Sequence, residues 1–112
     1  MLNFQKLDVY RCSIDFLALA VKLSTKIPRG YGTVSDQLRR AALSTPLNIA
    51  EGCGRPTDAD AARHYGIARG SAMECAAIID ALHVLSTIDE DEYVRGNELL
   101  ERLVAMLSRM SR

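Results

Sequence analysis

Aromatic side chains and net charge are two things that this sequence has little of. Its 112 residues include no Trp and only 5% aromatic residues, so Leu, Ile, Val, Ala and Met have to fill any core. Fourteen basic residues balance fourteen acidic ones, which removes bulk attraction to nucleic acid or to an anionic membrane. A net charge of zero instead favours association between protein molecules.

Cysteine and long apolar runs are also scarce. Cys12, Cys53 and Cys75 share no spacing typical of a metal site. The longest apolar run, around residues 16–21, is far shorter than the roughly 20 residues that cross a bilayer. The N-terminal sequence MLNFQKLDVYR has no apolar segment typical of a signal peptide. We therefore expect a cytoplasmic protein with reduced thiols, no cofactor, no bound metal and no membrane partner.

Apolar residues recur at helical spacing over four segments that are separated by short links. The predicted helices cover about residues 6–27, 33–52 and 58–86, with a fourth from about residue 90 onward. No segment shows the alternation typical of a strand. The pattern predicts one all-α domain over residues 1–112, an up-down-up-down antiparallel four-helix bundle.

The first predicted helix carries two apolar lines. One line contains Leu7, Tyr10, Ile14, Leu17 and Val21, and the second contains Val9, Cys12, Phe16, Ala20, Leu23 and Ile27. Two interpretations stay open: both lines are buried in one bundle, or one line faces the monomer core and the other a second subunit. For the second interpretation, the line represented by Phe16 and Leu23 is the candidate oligomer interface.

The second predicted helix contains Pro46, which removes one backbone hydrogen bond at a cost of about 3 kcal/mol. Because the apolar period continues in phase on both sides of it, we expect a kink and no break. Gly52 is predicted to end the helix in a left-handed conformation, with Gly54 in the following turn. Capping boxes are predicted at residues 33–36 and 57–60, each with Asp in the place of Glu.

The third predicted helix has unusually small side chains in its first half. Gly66 and Gly70 lie there, and each costs about 1 kcal/mol in a helix relative to Ala. A compensating gain is expected from close backbone contact with the second helix or with another chain. Gly66 and Gly70 are therefore further candidates for the oligomer interface.

Three strings carry a family resemblance: KLDVYRCSIDFL at residues 6–17, LRRAALSTPLNIAEGCGRPTDAD at residues 38–60, and IARGSAMEC at residues 67–75. They resemble the four-helix-bundle proteins of the ribosomal RNA intervening-sequence type, and the resemblance covers nearly the whole chain. It implies a small bundle that assembles as a cyclic pentamer, and some relatives bind nucleic acid and a reverse transcriptase. The structural signature comprises Pro46, Asn48, Glu51, Gly52, Gly54, Arg55 and Glu74.

The charged residues of the central hairpin admit two interpretations. In the first, they form ion pairs that fix the hairpin register, namely Arg39 or Arg40 with Glu74, and Glu51 with Arg55 or Arg63. In the second, they form an anion or RNA-phosphate site that consists of Arg39, Arg40, Arg55, Arg63 and Arg69. The first interpretation is the favoured one.

No pattern of catalytic residues emerges. His64 and His83 lie about five turns apart on one predicted helix, too far to share a metal, and are expected at the surface or its boundary. Cys53 lies in a turn with no base placed beside it. We therefore predict a non-enzymatic protein that associates with itself and acts on no small-molecule substrate. The alternative is an accessory factor that binds RNA or a nucleic-acid-processing protein.

Overall fold

The computed structural model describes residues 1–112 and contains helices but no strand. After a short 3-10 helix, Asn3–Lys6, come α1 (Asp8–Ser24), α2 (Gly32–Cys53), α3 (Asp58–Val84) and α4 (Glu90–Met110). Each helix packs against the next, and α1 also packs against α4, while the backbones of the diagonal pairs do not approach each other closely. The molecule measures 43 × 26 × 24 Å. The predicted antiparallel four-helix bundle is confirmed.

The two apolar lines of α1 have different environments. Val9, Cys12, Phe16, Ala20 and Leu23 are buried against the other helices, whereas Leu7, Ile14 and Val21 are exposed. Phe16 is 1% and Leu23 0% exposed. Their proposed place in an oligomer interface is therefore wrong, because side chains inside the chain's own core present no surface to a second copy.

Pro46 is buried inside α2, which continues without a break on both sides of it. Polar side chains bond to backbone carbonyls in the same turns: the Thr45 hydroxyl donates to Ala41 O (3.1 Å) and the Asn48 amide donates to Ser44 O (2.9 Å). The continuity of the apolar period across Pro46 therefore predicted the helix correctly. None of the four helices combines the length and the apolar content that crossing a membrane requires.

Helix ends agree with the sequence patterns only in part. At the start of α3, the Thr57 hydroxyl accepts a hydrogen bond from Asp60 N at 3.1 Å, as a cap does. Helix α2 begins after Tyr31 without a side-chain cap, so the predicted capping box at residues 33–36 is wrong. The left-handed cap at Gly52 is also wrong, because Gly52 lies within α2 and no glycine has a positive φ. A Cβ added at Gly52 would lie 2.5 Å from the Tyr65 ring, so the position requires Gly for close packing.

Gly66 and Gly70 make no close contact with α2. Both are exposed, and a Cβ added at Gly70 would meet nothing within 4 Å. A Cβ at Gly66 would approach only Ser111 Cβ, at 4.0 Å. The expected contact of these glycines with the second helix is therefore wrong, and their contact with another chain stays a prediction.

The two kinds of glycine are distinguished by alanine substitution. Gly52→Ala is expected to lower the free energy of unfolding by about 1–2 kcal/mol, because the Tyr65 ring has to move. Gly70→Ala is the matched control and is expected to raise it by about 0.5–1 kcal/mol through helix propensity alone. Urea denaturation at one protein concentration measures both. Equal shifts in the two variants would contradict the close-packing role of Gly52.

Candidate functional surfaces

A buried histidine organises the linked end of α2 and α3. His64 is 4% exposed, and it lies between residues of α2 and residues near the start of α3. Its Nδ1 lies 3.2 Å from Asn48 Oδ1 and 3.2 Å from Glu51 Oε2. Its Nε2 lies 3.0 Å from Arg55 Nε and 3.4 Å from Arg63 Nη2. One imidazole thus contacts four polar side chains.

The contacts assign the histidine tautomer. Arg55 Nε is a donor and cannot accept, so His64 Nε2 has to offer its lone pair to it. Nδ1 then carries the proton and donates towards Asn48 Oδ1 and Glu51 Oε2. In this tautomer each ring nitrogen of the neutral imidazole has a hydrogen-bond partner.

The network continues along the interface between α2 and α3. The Asn48 amide also donates to the Ser44 hydroxyl at 3.1 Å, and Ser71 Oγ donates to Ser44 Oγ at 2.9 Å. No buried polar side-chain atom is left without a hydrogen-bond partner. Because an unpaired buried polar group is costly, this network favours one register of α2 against α3.

The predicted ion pairs of the hairpin are wrong. Arg39 Nε donates to Ser24 Oγ at 3.0 Å on α1, and neither Arg39 nor Arg40 pairs with Glu74. Glu51 contacts His64 rather than Arg55 or Arg63. Glu74 instead lines a shallow groove between α2 and α3. The register is fixed by hydrogen bonds to a buried ring and not by surface ion pairs.

The five candidate arginines do not converge on one site. Arg55 and Arg63 both contact His64, whereas Arg39 contacts α1 and Arg69 Nε donates to Ser108 Oγ of α4 at 2.7 Å. Arg40 is exposed on α2. The structure thus brings together only two of the five side chains.

The buried position of His64 was missed from the sequence, where a surface or boundary location was expected. The signal was present, because His64 lies four residues before Ala68 on the same line as Ala72, Cys75 and Ile79, all of which are buried. A histidine on the core line of a helix needs polar partners, and Asn48 of α2 supplies one.

His83 lies in a separate cluster at the other end of α3. Its ring stacks on Tyr93 with centroids 3.9 Å apart, and its Nε2 contacts Glu90 Oε2 at 2.9 Å. The Tyr93 hydroxyl donates to Asp80 Oδ1 at 2.8 Å. No three His, Cys, Asp or Glu side chains lie close enough to hold a metal ion. This cluster joins the ends of α3 and α4.

The three cysteines are free thiols in different environments. Burial raises the pKa of the Cys75 thiol to about 12, with a smaller contribution from Glu74. Burial also raises the pKa of Cys12, whose Sγ donates to Leu99 O at 3.4 Å. Cys53 is exposed. Burial of Tyr65, together with the hydrogen bond from its hydroxyl to Cys53 Sγ, raises the pKa of Tyr65 to about 12. The two buried thiols are thus held in the neutral form.

Exposed apolar side chains occur on the outer sides of α1 and α2, and the 3-10 helix Asn3–Lys6 packs against both helices with the centroid of the Phe4 ring 5.0 Å from that of the Tyr10 ring. The contacts of Ser35 and Arg39 with Ser24 fix how the two helices lie together. Residues that follow or precede Ser24 and Arg39 at intervals of three or four lie on the same side of their helices, so they form two neighbouring outer lines. We define the α1–α2 face as Leu7, Tyr10, Ile14, Leu17 and Val21 of the first line, with Leu43 and Leu47 of α2. Five of these seven are exposed, and Tyr10 and Leu17 are half-buried.

A second apolar surface is concave and lies between α3 and α4. The groove has a volume of about 360 Å³ and a largely apolar lining. We define the α3–α4 groove as Met73 and Ala76 of α3 with Asn97, Leu100, Glu101, Val104 and Ala105 of α4. Met73 is exposed at its rim, and Leu100 is buried in its floor.

Three features define a class of small α-helical proteins: the four-helix fold, the hairpin of α2 and α3 that turns near residues 48–55, and the two apolar surfaces. In this class a polar network lies at one end of the bundle. Within that class, residues 5–109 match the model of the family described as "23S rRNA-intervening sequence protein", and the chain belongs to that family. The family prediction made from the sequence is therefore confirmed.

One solved structure has a similar fold. It is a protein of unknown function from the S23 ribosomal protein family of Bacteroides thetaiotaomicron, with a TM-score of 0.83 and 21% sequence identity. The similarity covers 93% of this chain and 98% of that one, and at this identity it shows the shared fold. No curated protein sequence matches the chain significantly.

Replacement of the buried histidine tests the hairpin network. His64→Leu is expected to lower the free energy of unfolding by about 2–4 kcal/mol, because Asn48 and Arg55 lose a buried partner. His83→Leu on the same helix is the control and is expected to cost less than about 1 kcal/mol, since its contact with Glu90 is exposed. Chemical denaturation measures both, and equal losses would argue against the central place of His64.

Proposed function

We propose that this chain is a non-enzymatic interaction protein that associates with itself and presents a ring surface to a macromolecular partner. The ring size that we adopt is the pentamer implied by the family resemblance. Three free thiols support a cytoplasmic location, where cysteines stay reduced. The α1–α2 face is the observation that carries the proposal.

The spacing on this face is typical of a helix-packing seam. Leu7, Ile14 and Val21 recur every seven residues, and a heptad repeat drifts only about 20° around a straight helix. Tyr10 and Leu17 complete an alternation of three and four residues, the pattern that packs helix against helix. Leu7, Ile14 and Val21 lie outside the core of the monomer, which Val9, Cys12, Phe16, Ala20 and Leu23 supply, while Tyr10 and Leu17 pack against its edge.

The location of the face adds support. Leu43 and Leu47 of α2 widen the line of α1 into a two-helix surface, and both are exposed. Contiguous exposed apolar patches on soluble proteins mark interaction sites. Zero net charge lowers the electrostatic barrier between identical chains. A second copy is thus a suitable partner for this face.

RNA or nucleoprotein binding is the second candidate function. It has one supporting observation: Arg55 and Arg63 lie beside each other at His64, and neither has a carboxylate partner. RNA binding has less support than self-association, because the other three arginines lie apart and the net charge is zero. RNA affinity that falls with salt and is lost in Arg55→Ala or Arg63→Ala would favour it.

Size measurements in solution test the proposed self-association. We expect the wild-type chain to be an oligomer by light scattering, and Ile14→Glu or Leu47→Glu to weaken association by about tenfold or more, because a charge enters an apolar seam. Val84→Glu is the matched control, since Val84 is 81% exposed but lies at the end of α3, away from the face. Unchanged circular dichroism verifies folding. A monomeric wild-type chain at micromolar concentration contradicts the proposal.

A further inference from the structure

We infer that the α3–α4 groove receives the α1–α2 face of a second copy, so that subunits join head to tail. The inference rests on the proposed self-association and identifies the other half of the interface. A cyclic assembly larger than a dimer requires two different complementary patches on each subunit. The α1–α2 face supplies a ridge and the α3–α4 groove a concave surface.

The two surfaces lie on opposite sides of one bundle. The outer line of α1 runs along the side where Ser24 meets α2, apart from its first residue, Leu7, which also borders the end of α4. Cys12 and its core line turn towards α4. The groove opens between α3 and α4. One chain therefore cannot cover its own groove with its own ridge, but a second copy can.

The groove has the shape and chemistry to receive an aliphatic ridge. Ala76 and Ala105 leave space in its lining, and Leu100 and Val104 supply apolar contacts. A helix with Leu7, Ile14 and Val21 along one line fits such a groove in the manner of a coiled-coil seam.

Polar residues at the two surfaces have the same spacing, and one pair, Arg11 and Glu101, has opposite charges. Arg11 and Asp15, four residues apart, line a depression with Tyr10 and Ile14, and Met1 and Gln5 of the N-terminal segment form its other side. Asn97 and Glu101 line the α3–α4 groove, also four residues apart. Neither Arg11 nor Glu101 forms an ion pair within the chain, so each is available to a partner.

An antiparallel placement of α1 along α4 of the next subunit uses both pairs. Arg11 then faces Glu101, and Asp15 faces Asn97, whose amide is a donor. The same register places Leu7 opposite Ala105, the small residue of the groove. We take this register as the arrangement to be tested.

Mixing two blocked variants tests the head-to-tail arrangement. Ile14→Glu blocks the ridge. Ala105→Arg fills the groove at an exposed position, where the new side chain lies one turn from Glu101 and should not disturb the helix. Each variant alone is expected to be a monomer. Mixed in equal amounts, they should form a one-to-one dimer that does not grow, because only one functional ridge and one functional groove remain.

The result that overturns the inference is distinct from failure of the proposed function. If Ala105→Arg keeps the wild-type oligomer, or if two folded blocked variants stay monomeric when mixed, the groove is not the acceptor and the α1–α2 face packs against its own copy or elsewhere. A monomeric wild type would instead remove the self-association itself. Native mass spectrometry separates all these species.

Charge reversal tests the register independently. Arg11→Glu and Glu101→Arg are each expected to weaken association about five- to tenfold, because a favourable pair becomes a like-charge pair. The double variant is expected to regain the wild-type dissociation constant within about threefold, as a directly coupled pair does. Additive weakening in the double variant would overturn this register.

Discussion

The architecture depends on the close approach of α2 and α3 at their linked end. Gly52 lets the Tyr65 ring lie where a Cβ would be 2.5 Å from it, and His64 fills the neighbouring space with a ring that is polar at both nitrogens. A shift of α3 along α2 would leave that ring buried without partners, which is costly in an apolar interior. The polar network thus selects the register, while the apolar core supplies the bulk of the stabilisation.

The first helix shows how the apolar residues of a small bundle divide between folding and association. Its core line ends in fully buried Leu23 and includes Phe16, one of only two phenylalanines in the chain. Its outer line is also apolar, but only Tyr10 and Leu17 pack against the core, whereas Leu7, Ile14 and Val21 are exposed. In a chain so poor in aromatic residues, an outer line of this kind is a considerable exposed surface, and it is the feature on which the proposed assembly depends.

Periodicity predicted the fold well because helix packing is set by which residues recur every three or four positions, and Pro46 did not interrupt that pattern. It could not tell which line of α1 faces inward, since both lines are apolar and only the positions of α2 and α4 decide between Phe16 and Ile14.

Gly52 was misassigned because a glycine near a helix end suits a left-handed cap as well as a close contact. The buried position of His64 was missed and the ion pairs were predicted wrongly for a related reason. A polar residue's environment depends on the exact register of two helices, and the sequence places that register only within a few residues.

The order of packing along the chain has a kinetic consequence. Neighbouring helices in sequence are neighbours in space, and contacts between distant parts of the chain are confined to α1 with α4 and the N-terminal 3-10 helix with α2. Such a low contact order is typical of domains that fold within microseconds to milliseconds. During synthesis, α1 and α2 emerge first, whereas the last helix completes the bundle only after Met110 has left the ribosome. A nascent chain therefore exposes the core line of α1, including Phe16 and Leu23, until α4 packs against it, so rapid completion of the last helix is a safeguard against aggregation.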